Sequence, residues 1–186
     1  MMASPMRHTS RGLALLALLA VGVLAGCGGS SDVKPGAYVK SMCTALGNWK
    51  NTIQSAGVAL QSSGAASAAR PVAKADYQRF VNSLVTATQT AASDLHAAGT
   101  PAVSGGKQLA ARLNQAFDTA TQRLTKAQSQ AKTIRTGSVT SFQLGASSVT
   151  GEIRSALQAI AGVAPGQSSQ LRQAAAKEPA CQALQG

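Results

Sequence analysis

Val39, Met42, Leu46, Trp49, Ile53, Ala56 and Leu60 follow one another at steps of three and four residues in strict alternation. Such a run puts its apolar side chains on one stripe of a helix and does not suit a strand, whose side chains alternate with a period of two. The same alternation recurs unbroken through Val139, Phe142, Ala146, Val149, Ile153, Ala156 and Ile160. Leu109, Leu113, Ala116, Ala120, Leu124, Ala127, Ala131 and Ile134 make a third seam. Its doubled four-step at Ala120–Leu124 is a stutter that locally unwinds any supercoil. A fourth face is less regular: Tyr77, Phe80, Val81, Leu84, Ala91, Leu95 and Ala98. Each striped helix has to bury its stripe against the others.

Punctuation divides the chain into these helices. Pro35 suits the first turn of helix one. Ser62 to Arg70 is rich in Ser, Gly and Ala and runs into Pro71, so it reads as a connection. Helix two is expected over Val72 to Ala98, with Gly99 as its C-terminal cap and Thr100-Pro101 after it. Helix three is expected over Ser104 to Thr136, with Gly105-Gly106 read as loop or helix-start flexibility and Gly137 as a C-terminal cap. Ser138 is placed to cap helix four, which ends by Pro165-Gly166. Ser168 to Lys177 can form a short fifth helix before the tail Glu178-Pro179-Ala180-Cys181. The expected fold is all-α: an up-down four-helix bundle over residues 35–186 with a short C-terminal helix and tail. Small seam residues such as Ala116, Ala120 and Ala131 allow close helix approach. The dominance of Ala, Ser, Gln and Leu and the scarcity of aromatics agree with helices.

The residues that carry chemistry are few. After the N-terminal segment there is one histidine, His96, and Asp94 two positions away points in a different direction on the same helix. None of Asp32, Asp76, Asp94, Asp118, Glu152 and Glu178 forms the Glu-x-x-His pair of a bundle-core di-metal site. No Cys/His spacing suits zinc and no glycine-rich loop follows a strand. The expectation is therefore no enzyme, no metal and no cofactor. Tyr38, Trp49, Tyr77, Phe80, Phe117 and Phe142 lie on or near the seams, where they serve as core or line a ligand groove between helices.

The first 26 residues have a different character. Arg7 and Arg11 precede an apolar run from Leu13 to Ala25, 13 residues that are short for a permanent membrane span. Leu24-Ala25-Gly26-Cys27 closes the run and resembles the lipobox of bacterial lipoproteins. The resemblance implies a signal peptide over 1–26, a diacylglyceryl group on the Cys27 thiol and anchorage to the outer face of the cell membrane. Residues 27–34 would then be a lipidated flexible tether, and Gly28–Asp32 fully extended reaches only about 15–18 Å. Gly28, where diderm lipoproteins kept in the inner membrane carry Asp, removes that retention signal. With Cys27 taken by lipid, Cys43 and Cys181 remain in an oxidising compartment and are expected to pair.

Together with Met42-Cys43 to Trp49, Ala98-Gly99-Thr100-Pro101 and Pro179-Ala180-Cys181, the lipobox makes the chain similar to small secreted lipoproteins of actinobacteria. That likeness implies location and fold and carries no activity. Of 17 Lys and Arg, Arg7 and Arg11 leave with the signal; 15 face 6 acidic side chains, a net of +9. A basic exported domain meets anionic lipid head groups and phosphate-rich wall polymers first, but scattered charge favours weak contact. Nucleic acid is not expected, because no aromatic-basic stacking pattern occurs. The functional expectation is a membrane-anchored, non-enzymatic interaction or accessory module. The alternative is a binding protein that holds an apolar or amphipathic ligand between its helices.

Overall fold

A computed structural model describes residues 32–64, 68–163 and 168–184. Its four long helices are α1 (Pro35–Ser62), α2 (Arg70–Ala97), α3 (Gly106–Thr133) and α4 (Val139–Ala161). They run alternately up and down. Trp49 on α1 bonds to Thr88 on α2, Gln78 on α2 reaches the Ala131 carbonyl on α3, and Lys126 on α3 pairs with Glu152 on α4. The short helices α5 (Ser169–Lys177) and α6 (Pro179–Gln182) fold back onto α1. The expected up-down four-helix bundle with a stapled C-terminal segment is the fold observed.

Local chemistry accounts for the helix ends. Pro35 and Pro71 sit in the first turns of α1 and α2, where a missing N–H costs nothing. Pro71 therefore starts α2 from within, and the helix begins two residues before the expected Val72. Ser138 and Ser141 form a reciprocal capping box at α4. Ser168 caps α5 through the Leu171 amide, and Glu178 caps α6 through the Ala180 amide. α3 ends at Thr133, before the expected Thr136, because Ile134 turns to an extended conformation. Ile134 stays buried all the same, packed against the backbone of Gly145, where a Cβ would lie 3.1 Å from its Cγ1.

Helix three is the centre of the molecule. Every residue of its seam, from Leu109 to Ile134, is buried. The consecutive pairs α1–α2, α2–α3 and α3–α4 pack closely. α1 and α4 stand further apart, and their seams are covered only in part. On α1, Val39 is buried while Met42, Leu46, Trp49, Ile53, Ala56 and Leu60 are half-buried. On α4, Val149, Ile153 and Ala156 are buried while Val139 is 56% exposed. One core cluster joins α2, α3 and α4 around Leu84, Leu124 and Val149. Another joins α1, α2 and α3 around Ala45, Leu95 and Phe117.

A two-residue strand, β1 (Asp32–Val33), pairs in parallel with β2 (Thr100–Pro101) in the α2–α3 connection. The sequence places Asp32 and Val33 in the flexible tether. Their backbone is instead tied to the domain, and the Ala102 amide donates to the Val33 carbonyl at 2.8 Å.

The Gly105-Gly106 pair is not a point of looseness. A Cβ on Gly106 would lie 2.1 Å from the Pro101 carbonyl oxygen, so only glycine lets α3 start against β2. Gly106→Ala is expected to destabilise by about 1–3 kcal/mol, as overpacking does. Gly47, in open space within α1, gives the opposite sign: Ala there is expected to stabilise by up to about 1 kcal/mol. Denaturant midpoints of the two variants check this, and equal effects would contradict the close approach.

Candidate binding cleft

The gap between α1 and α4 is an apolar cleft of about 280 Å³. Tyr38, Val39, Met42 and Leu46 supply one wall from α1, spaced to share a helix face. Leu109, Leu113 and Phe117, four residues apart on α3, form its floor. Ile160 and Val163 close it from the end of α4, and Leu171, Arg172 and Ala175 from α5. Arg172 is the one charged side chain among these and is exposed. Burial pushes the Tyr38 phenol above its ordinary pKa.

The wall made by α5 depends on a covalent link. Cys43 and Cys181 are joined, with Cα atoms 5.0 Å apart, and hold the C-terminal segment against α1. The Lys50 ammonium adds a hydrogen bond to the Leu184 carbonyl at 3.2 Å. Behind the cleft, Phe117 meets Trp49 edge to face, with ring centroids 5.6 Å apart and planes at 72°. The Trp49 indole N–H donates to the Thr88 hydroxyl at 3.0 Å. A second hollow of about 420 Å³ lies between α1 and α2, with a polar lining that includes Asn48, Asn82, Thr86 and Asp94.

Three of the four ion pairs among the described residues bridge helices. Glu152 on α4 accepts from Lys126 at 2.5 Å and from Arg123 at 3.3 Å, both on α3. The Lys126 hydrogen bond, with Arg123 adding to it, holds the Glu152 carboxyl below the ordinary carboxylate range despite some desolvation. A depressed folded-state pKa stabilises the fold above the unfolded value and is lost as pH falls through the folded one. The wild type is therefore expected to lose midpoint stability below about pH 4.3, the ordinary glutamate value. Glu152→Gln should remove that part of the acid sensitivity. Parallel pH profiles for the two proteins would contradict the assignment.

The candidate residues named from sequence land as follows. Cys27 lies outside the described residues. Cys43 and Cys181 form the expected disulfide. His96 is exposed and faces Asp118 across the α2–α3 interface at 3.3 Å, not Asp94. Among the described residues, no three His, Cys, Asp or Glu side chains gather as a metal site, and no helix is long and apolar enough to cross a membrane. Of the six aromatic side chains, Tyr38 and Phe117 are fully buried, while Trp49, Tyr77, Phe80 and Phe142 are half-buried. The sequence predicts core positions for most of these aromatics; Trp49 on α1, Tyr77 and Phe80 on α2 and Phe142 on α4 are instead partly open.

Three residues escaped the sequence reading. Thr88 is fully buried, and its signal is the seven-residue gap between Leu84 and Ala91 in the α2 seam, which a residue four beyond Leu84 must fill. Asp76 is buried beneath the end of α1 and paired with Arg79 one turn on. Arg172 had no signal, because its place beside the cleft depends on how α5 folds back. In comparisons with known proteins, the chain matches no protein-family model, no curated protein and no solved structure.

Proposed function

We propose that the protein is a lipoprotein of the cell envelope, anchored at the outer face of the membrane through Cys27, whose helical domain works by binding and not by catalysis. The apolar cleft between α1, α3, α4 and α5 carries this reading. It supports the form in which a small apolar or amphipathic ligand is held between helices. Its lining is apolar but for the Tyr38 hydroxyl and the Arg172 guanidinium, and apolar linings with a few polar groups are typical of small-molecule sites.

A second form, an accessory module that docks on a protein, has one observation behind it. Val58, Val72, Val139 and Leu144 are exposed apolar residues near the end of the bundle remote from the disulfide. Native extraction in detergent separates the two, since a small lipid-soluble molecule in the purified fraction favours the cleft and a stoichiometric protein favours the far end. The anchor is tested by intact mass. Cys27→Ser is expected to lack acyl mass in the membrane fraction, and an acylated Cys27→Ser product would overturn the lipobox reading.

A further inference from the structure

We propose that the cleft takes one alkyl chain ending in an anionic head group, with the chain lying against α1 and α3 and the head group on the Arg172 guanidinium. The inference rests on the cleft being the binding site. Its volume of about 280 Å³ lies below the range of most small-molecule pockets, so it has room for one chain and not for the paired chains of a phospholipid. The wall from Tyr38 to Leu46 spans about 12 Å of helix at 1.5 Å per residue. Such a slot suits an extended flexible chain better than a ring system. Met42 is the adaptable side chain in that wall.

Charge decides the head group. Arg172 is the one charged side chain among the described lining residues; the Tyr38 hydroxyl is neutral and the rest are aliphatic, thioether or aromatic. Arg172 is exposed and makes no ion pair among the described residues. The acidic group closest to it in sequence, Glu178, is occupied in capping α6 at the Ala180 amide. A guanidinium presents parallel N–H groups that match a carboxylate or phosphate in a bidentate pair. A cationic head there would meet like charge, and a neutral one would forgo the pair. Fatty-acid carboxylates have this chemistry.

Calorimetric titration of the chain from Cys27 onward tests this, since all described elements lie within 32–184. Decanoate, decanol and decylammonium serve as probes below their micelle concentrations. Fluorescence of Trp49, the one tryptophan in the chain, gives a second readout through Phe117. Decanoate is expected to bind about tenfold more tightly than decanol, the equivalent of about 1.4 kcal/mol, and decylammonium more weakly than decanol. Arg172→Gln, an exposed change, should bring decanoate to the level of decanol and leave decanol unchanged. Each methylene from octanoate to decanoate should add about fourfold. Ala175→Leu fills the cleft and should weaken decanoate and decanol alike, with its thermal melt as the check on folding. Equal binding of decanoate and decanol, or an unaffected Arg172→Gln, would overturn the anionic head group and leave the cleft standing. Absence of binding by all three probes, or binding indifferent to Ala175→Leu, would overturn the cleft itself.

Discussion

Removing the Cys43–Cys181 bridge is expected to cost up to about 5 kcal/mol of unfolding free energy, by the chain-entropy estimate for a long loop. The two cysteines are 138 residues apart, so the bridge restrains nearly the whole domain in the unfolded state. The native-state consequence is local. In the C-terminal segment, Leu171 and Cys181 are the buried residues, and both helices there rest chiefly on α1. Without the bridge, one leucine and a few half-buried side chains hold that segment. A Cys43→Ala, Cys181→Ala double variant should lower the denaturant midpoint and free the amides of 169–182 to exchange. Amides of α2 and α3 should open only with global unfolding. A midpoint that ignores reductant, or exchange that rises equally along the chain, would contradict this. Because α5 is a wall of the cleft, the same variant should also lose whatever binding the cleft supports.

How much of this was legible in sequence depends on which helix is read. The α3 seam predicts burial residue by residue, because α3 has neighbours on both sides and a stripe so enclosed must be apolar throughout. The α1 and α4 seams have the same period and predict the helices equally well. Their burial is incomplete because period reports a face and not the distance to what lies opposite. The separation of α1 from α4, and hence the cleft, comes from pairwise packing and the folding back of α5, which no local pattern encodes. Gly106 illustrates the same limit at one residue. Two adjacent glycines read as freedom, while the contact with Pro101 that requires glycine joins residues brought together by β1 pairing with β2. Cys43 and Cys181 were legible despite their separation, because the expectation that they pair came from a count of thiols and needs no geometry.

Phe117→Ala is the core substitution expected to do most damage, at about 3–5 kcal/mol. Phe117 is fully buried, stacks edge-on against Trp49 and forms part of the cleft floor. Its loss takes away the ring's own burial and the edge-to-face contact, and it leaves a void that opens directly into the existing cleft. Leu46→Ala makes the informative contrast. Leu46 belongs to a perfect seam and would be judged equally important from sequence, yet it is half-buried on the cleft wall. Its truncation should cost no more than about 2 kcal/mol, at the bottom of the range for buried leucines. His96→Gln, on the surface, should stay within about 0.5 kcal/mol. Denaturant melts of the three variants order them. If Leu46→Ala proves as costly as Phe117→Ala, α1 packs onto α4 in solution and the cleft is closed; if Phe117 alone is costly, the gap between those helices is open and available to a ligand.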